Sequence, residues 1–402
     1  MAMVMFSHYP ADPRPRRAAE ALVREGMQID FVCLAEGNAP RREKVDGIEV
    51  LRIPLKRRRG GKLAYVYQYS AFILISALIV GWRALTRGYD LVYVHNMPDI
   101  LVLSGMIPKV LGAKVILDLH DPMPELMTTI FGLDENSSGV RFISGAEKWS
   151  LARADAVITV NIACKRIFST RSCSAEKIQV IMNSPDEEIF QYRAAESYPA
   201  TDQDSNKPFV IMYHGSLVER NGLDLAVEAL ALVRDAIPTA ELRVYGPNSA
   251  FLEHVLEMAK SKGVDQAIRY LGPKQLEELV HEIQACDVGV IPNQKNSFTA
   301  INTPTRIFEY LSLGKPVIAP RTLGIEDYFA KDSLLFFEAG NAQDLARSIQ
   351  YAFAHPAEMR EIAKRGQAVY QEHDWRRERQ RLTGLVARLL DKETTRSGVQ
   401  VQ

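Results

Sequence analysis

The chain has 402 residues, 47% of them hydrophobic and 24% charged, with basic and acidic residues balanced at 49 each. That length is too great for one hydrophobic core and suits two domains of ordinary size. The even balance excludes a protein whose whole surface is built to attract nucleic acid. Four widely spaced cysteines (Cys33, Cys164, Cys173 and Cys286), with no C-x-x-C and no His pair beside them, fit reduced thiols in a cytosolic protein rather than a disulfide frame or a zinc site.

In chain order, Met1 to Phe6 reads as a first strand, without the basic n-region or cleavage site of a secretory signal. Helical periodicity follows over 16–25, then apolar strand-like runs over 29–34 and 48–53. Residues 1–90 carry 15 Lys/Arg against 9 Asp/Glu, and five of the seven positions from Lys56 to Lys62 are basic. Residues 63–82 hold no charge and are long enough to span a bilayer. Tyr65, Tyr67, Gln68, Tyr69 and Ser70 in the first half, and cations at both ends, argue against a span. A core helix, or a helix lying on a membrane surface through the stretch from Lys56 to Trp82, are the two compatible readings.

Strand runs over 91–94, 115–117, 156–160 and 178–181 continue the first half, with helices over 100–111 and 140–151. Residues 191–208 are polar and aperiodic and read as a linker. Strands over 209–213, 242–245, 268–271, 288–291, 317–319 and 334–337 then alternate with helices. This pattern predicts an α/β protein of two Rossmann-like domains, 1–190 and 209–373, with parallel sheets facing across a cleft. A helix over 375–393 ends the chain.

No G-x-G-x-x-G or Walker A motif is present, and the lone Asp-x-Asp, Asp202-Gln203-Asp204, reads as solvated linker charge. No His or carboxylate cluster has ligand spacing, so no metal is expected. Two segments carry chemistry. In His214-Gly215-Ser216, Gly215 allows close backbone approach, and Arg220 just before the helix opened by Gly222 suits a diphosphate. In the second, Thr303 reads as N-cap and Pro304 as first helical residue, and Arg306 sits in the first turn, where a helix start favours an anion. Glu309 lies three residues on and could accept a ribose diol. The plainer alternatives are a strand-turn-helix joint with a surface arginine and a surface Arg306–Glu309 pair.

Arg306-Ile307-Phe308-Glu309-Tyr310-Leu311, followed by Gly314-Lys315-Pro316-Val317-Ile318, resembles the second-domain signature of retaining GT-B glycosyltransferases of family 4. Asn183-Ser184-Pro185, Ala285-Cys286-Asp287-Val288, Asp374-Trp375, Asp12-Pro13-Arg14 and Asp118-Leu119-His120-Asp121 extend the likeness over nearly the whole chain. The resemblance implies a C-terminal helix returning to the first domain and sugar transfer from a nucleotide-diphosphate sugar with retention, without a metal. It implies His120, Arg220, Arg306 and Glu309 as catalytic, with Glu309 on the ribose. Gly215, Ser216, Asn221, Thr305 and Lys274 would bind the donor, and His8, Arg14, Asn96 and Asp121 would face the acceptor. Two departures stand out: Ile301 replaces the first glutamate of the E-x7-E pair common in the family, and Ser216 and Asn221 replace its Arg and Lys.

The expected acceptor is a saccharide or lipid-linked saccharide in surface polysaccharide synthesis, met by a cytoplasmic protein peripheral to the inner membrane face. A soluble acceptor, epimerase activity and a catalytically degenerate sugar-nucleotide binder are the alternatives.

Overall fold

The computed structural model describes residues 1–55, 62–195 and 207–394; the run from Lys56 to Arg59, Asp202 and Asp204 lie outside the described residues. The chain divides into two compact units, Met1–Asn183 with Glu378–Gln402, and Ser184–Arg377.

The first unit is built on one eight-stranded sheet. Its strands are β1 (Ala2–Val4), β2 (Asp30–Leu34), β3 (Arg42–Val45), β4 (Ile48–Ile53), β5 (Leu91–His95), β6 (Lys114–Leu119), β7 (Ala156–Thr159) and β8 (Ile178–Val180). They run in the order β3-β4-β2-β1-β5-β6-β7-β8. Strands β1, β2 and β5 are buried at every position, as expected of near-continuous apolar runs covered on both faces. All neighbours are parallel except β3 and β4, an antiparallel hairpin turning through Asp46-Gly47, both with positive φ. Strand β3 was missed in the apolar pattern because its Arg-Glu-Lys-Val sequence has no buried position.

The second unit carries β9 (Phe209–His214), β10 (Ala240–Tyr245), β11 (Ile268–Tyr270), β12 (Val288–Val290), β13 (Val317–Arg321) and β14 (Leu335–Glu338). These form a wholly parallel sheet in the order β11-β10-β9-β12-β13-β14. Leu223, Val227 and Leu230 of helix Leu223–Val233 share its core with Leu345 and Ile349 of helix Ala342–Ala354. Both sheets reverse their winding direction beside the first strand of the unit, between β1 and β5 and between β9 and β12. Ligands of such sheets bind at the carboxyl ends of the strands flanking that reversal.

Part of the polar stretch is well held: the Arg193 N–H donates to the Ser312 carbonyl at 2.8 Å, and the Gln367 amide brackets Arg193 and Ala195. The last helix, Trp375–Thr394, is tied to the end of the first unit by Glu378, a fully buried carboxylate that accepts the Met182 N–H at 2.9 Å. The helix expected over 100–111 is instead a tighter 3-10 stretch, Asp99–Gly105, followed by a short helix, Met106–Val110. Helices Met123–Phe131 and Ile162–Arg171 are further additions.

Helix Lys62–Arg87 is long and two-faced. Gln68, Phe72, Ser76, Val80 and Ala84 repeat every four residues and are buried, with Ser76 hydrogen-bonded to Ser104 at 2.7 Å. Tyr67, Leu74, Leu78, Trp82 and Leu85 form the opposite stripe and are 61–70% exposed. Among the described residues this is the one helix long and apolar enough to cross a membrane by length and composition, over Val66–Arg87, and 28% of the apolar window within that stretch is buried.

Candidate active site

In the second unit the carboxyl end of β9 leads through Gly215 into a short turn, Glu219–Asn221, and then into helix Leu223–Val233. Gly222 caps that helix at φ 70°, and a Cβ there would sit on the Pro292 carbonyl oxygen, so only glycine fits. The Tyr213 hydroxyl and the Asn221 amide both donate to the Ser216 carbonyl at 2.9 Å, which pins the loop. The Arg220 guanidinium lies 5.9 Å from the Phe298 ring centre.

Helix Thr305–Ser312 stands beside this loop. Its position is set from below: the Tyr310 ring packs so closely on β12 that a Cβ at Gly289 would overlap it. Arg306 donates to the His214 carbonyl at 2.9 Å and to Asn293 Oδ1 at 3.1 Å, and lies 4.9 Å over the Tyr213 ring. Among the described residues neither Arg220 nor Arg306 meets a carboxylate, so both charges are available to an anion. The Arg306–Glu309 surface pair does not form. Glu309 Oε2 instead lies 2.6 Å from His214 Nε2, and His214 Nδ1 lies 2.9 Å from the Tyr310 hydroxyl. The helix start also differs from expectation: Pro304 is the cap residue, and the Thr303 hydroxyl donates to the Gly324 carbonyl at 2.6 Å.

In the first unit, the loops after β1, β5 and β6 meet at the sheet reversal. Arg14, in the first turn of helix Pro13–Arg24, donates to Asp118 Oδ1 at 2.5 Å, and the Tyr93 hydroxyl donates to Oδ2 at 2.8 Å. Burial alone would raise the Asp118 carboxyl, but the Arg14 guanidinium beside it holds it well below the usual carboxylate range. Burial and the same guanidinium push His120 well below its ordinary value, so its ring is neutral. Asn96 locks the loop that carries this ring: it accepts the His120 N–H at 2.8 Å and donates to the Asp121 carbonyl and to Asp99 Oδ1, each at 2.9 Å.

Family models match both units: a glycosyl transferase 4-like domain over residues 11–184 and glycosyl transferases group 1 over residues 196–369. The chain belongs to the GT-B glycosyltransferases. The D-inositol 3-phosphate glycosyltransferase of Corynebacterium diphtheriae is 31% identical over 121 residues, 29% of this chain, and the match spans 27% of that relative's length. Sucrose-phosphate synthase from Thermosynechococcus elongatus superposes with a TM-score of 0.74 at 20% identity, covering 97% of this chain and 99% of that one. Anabaena HepE, solved with UDP and glucose, gives 0.70 at 16% identity, covering 96% and 98%.

Of the residues singled out in the sequence of this glycosyltransferase, Gly215, Ser216, Arg220, Asn221, Thr305, Arg306 and Glu309 come together around the end of β9. Lys274 is exposed in the loop beyond edge strand β11, two residues past Gly272, whose carbonyl accepts the Gly246 N–H at 3.0 Å. Arg14, Asn96, His120 and Asp121 form the first unit's network. His8 lies in the loop after β1 with a buried, unpartnered Nδ1 and no hydrogen bond into that network. His214, Asn293 and Tyr310 in the second unit, and Tyr93, His95 and Asp99 in the first, were missed as site residues. All but Asp99 and Asn293 end strands or sit inside apolar runs, where they read as core.

No cluster has ligand spacing along the chain, but among the described residues one group of possible ligands forms in space. His95 Nδ1, His120 Nε2 and Asp118 Oδ2 lie 3.1, 3.4 and 3.8 Å apart, a separation a metal ion could bridge. Spacing along the chain hides the group because its members come from the ends of adjacent parallel strands, β5 and β6. The donor set fits a cation poorly, since Arg14 and Tyr93 occupy both carboxylate oxygens and the guanidinium places a positive charge alongside.

Proposed function

We propose that the protein transfers a sugar from a nucleotide-diphosphate sugar to a hydroxyl of a lipid-linked saccharide, with retention, at the inner face of the cell membrane. The observation that carries the donor half is the pair of guanidiniums without carboxylate partners, Arg220 and Arg306, beside Glu309 at the carboxyl end of β9. The arginines and the start of helix Thr305–Ser312 stabilise the diphosphate as it leaves, with no metal needed for that charge. Glu309 accepts the ribose hydroxyls. As the anomeric C–O bond to the diphosphate breaks, the acceptor oxygen bonds to the same face and its proton passes to the departing phosphate oxygen. On the acceptor side, neutral His120 offers a hydrogen-bonding nitrogen to a hydroxyl, and Arg14 holds Asp118 ionised beneath it. The membrane part rests on the exposed apolar stripe of helix Lys62–Arg87 and on the basic run preceding it in sequence.

The test is thermal stability against a panel of nucleoside diphosphates and nucleotide sugars. A ligand at about 100 times its dissociation constant stabilises by about 2.7 kcal/mol, a visible shift in melting. A shift with one base, lost in Glu309→Ala, supports the donor site. No shift with any of the panel overturns it.

A further inference from the structure

The His214 ring is 4% exposed and makes two hydrogen bonds, both within the second unit. On one side, Nε2 faces Glu309 Oε2 at 2.6 Å. An ionised carboxylate can only accept, so Nε2 carries the proton. On the other side, Nδ1 faces the Tyr310 hydroxyl at 2.9 Å, and that hydroxyl also lies 2.8 Å from the Met212 carbonyl. A hydroxyl both donates and accepts, so the Tyr310 proton can turn to Nδ1 when the ring is neutral, or to Met212 when Nδ1 is itself protonated. In either charge state the Nε2–H bond to Glu309 survives. Tyr310 is fully buried against Gly289, so the anchor of this chain of bonds is fixed by the sheet itself.

We propose that His214 is a positioning residue for the donor: through Nε2–H it holds the Glu309 carboxylate in one orientation, with Oε1 presented to the ribose diol. This rests on the donor-site reading above and adds a residue to it. The side chain of Glu309 is 16% exposed, and among the described residues nothing bonds Oε1. That oxygen has two lone pairs and Oε2 retains a second, enough for both hydroxyls of a cis-diol. Without His214 the carboxylate has to be ordered by the ligand, and affinity falls accordingly.

The experiment is calorimetric titration of UDP and GDP into the full chain and its variants His214→Phe, His214→Gln, Glu309→Ala and His214→Phe/Glu309→Ala, with unliganded melting recorded for each. The expected result is an affinity loss of about tenfold or more in His214→Phe, the size of a hydrogen bond to a charged group. His214→Gln, whose amide N–H can reach the carboxylate, recovers most of it. The double variant binds no more weakly than Glu309→Ala, because the histidine acts only through that glutamate. Wild-type affinity in His214→Phe, equal losses in Phe and Gln, or a double variant weaker by the full His214→Phe factor would each overturn the role while leaving the donor site standing. Absence of binding by the wild type, or unchanged binding in Glu309→Ala, would remove the donor reading and this role with it.

Discussion

The Arg14 guanidinium and the Asp118 carboxylate meet at 2.5 Å although 104 residues separate them, and the two side chains are only 11% and 1% exposed. Bringing them together is a product of topology: β1 and β6 flank β5, so the loop after β1 and the end of β6 open at the same edge of the sheet. A pair this buried has a desolvation cost that only mutual contact offsets. Asp118→Asn leaves the guanidinium buried without its counter-charge, and should lower unfolding stability by about 3–5 kcal/mol in urea denaturation. The pH dependence follows from the sign of the shift. Asp118 is depressed in the fold, so its contribution is complete above about pH 4, the range of an unfolded aspartate, and is lost as pH falls below that. A variant as stable as the wild type would show that this contact is dispensable.

Asp99 behaves in the opposite sense. Burial, with the nearby Glu147 carboxylate adding to it, pushes its pKa up to about 7, against the hydrogen bond from Asn96. The native state therefore holds a proton that the unfolded chain releases near pH 4, and stability falls as pH rises from about 4 to 7. Asp99→Asn keeps an oxygen for the Asn96 amide but cannot ionise. It should melt higher than the wild type at pH 8, by the equivalent of a few kcal/mol at most, and the gap should narrow as pH falls and close near pH 4. Parallel melting curves for the two proteins across that range would rule out the assignment.

Much of this architecture is legible in the sequence because buried parallel strands are apolar throughout and their helices are amphipathic. Strand β3 escaped since an exposed edge strand has no such signature, although Asp46-Gly47 is a hairpin turn signal that marks it. At the site, Arg220, Arg306 and Glu309 were readable because a charge beside a helix start is conspicuous. His214 and Tyr310 were not, since a residue ending an apolar strand and another inside an apolar helical run both look like core. The His95–Asp118–His120 group is invisible to any search by spacing, because parallel strands bring together residues more than twenty positions apart.

The two arginines of the second unit should separate in their effects. Arg306 donates to the His214 carbonyl and to Asn293 and lies over Tyr213, so it joins three segments of the site. Arg220 is half-buried in its turn against Phe298 and, among the described residues, makes no side-chain hydrogen bond that joins separate segments as Arg306 does. Arg220→Ala should leave unliganded melting within about a degree of wild type and weaken nucleotide-diphosphate binding by about tenfold, one charge-assisted contact. Arg306→Ala should weaken binding at least as much and also lower unliganded stability by about 1–3 kcal/mol, through the buried acceptors it leaves behind. Titration and melting on the same samples decide it. Equal unliganded stability in the two variants would mean that the Arg306 contacts only follow the fold and do not support it.

The exposed stripe of helix Lys62–Arg87 gives the last prediction. Its buried face, repeating every four residues from Gln68 to Ala84, already satisfies the packing of the first unit, so the fold does not need Leu74, Leu78 or Trp82 to be apolar. A soluble helix of this exposure would ordinarily be polar there. An indole and leucines entering the acyl boundary each contribute about 1.5–3 kcal/mol, and basic residues near an anionic surface add about 1 kcal/mol apiece. The protein should therefore co-sediment with vesicles containing phosphatidylglycerol, less so at high salt. Leu78→Glu/Trp82→Glu should abolish most of that binding without changing the melting temperature, because both side chains stand more than half in solvent. Undiminished sedimentation of the double variant would mean the stripe does not face lipid. A lowered melting temperature would instead place it in a protein contact that the chain makes with itself.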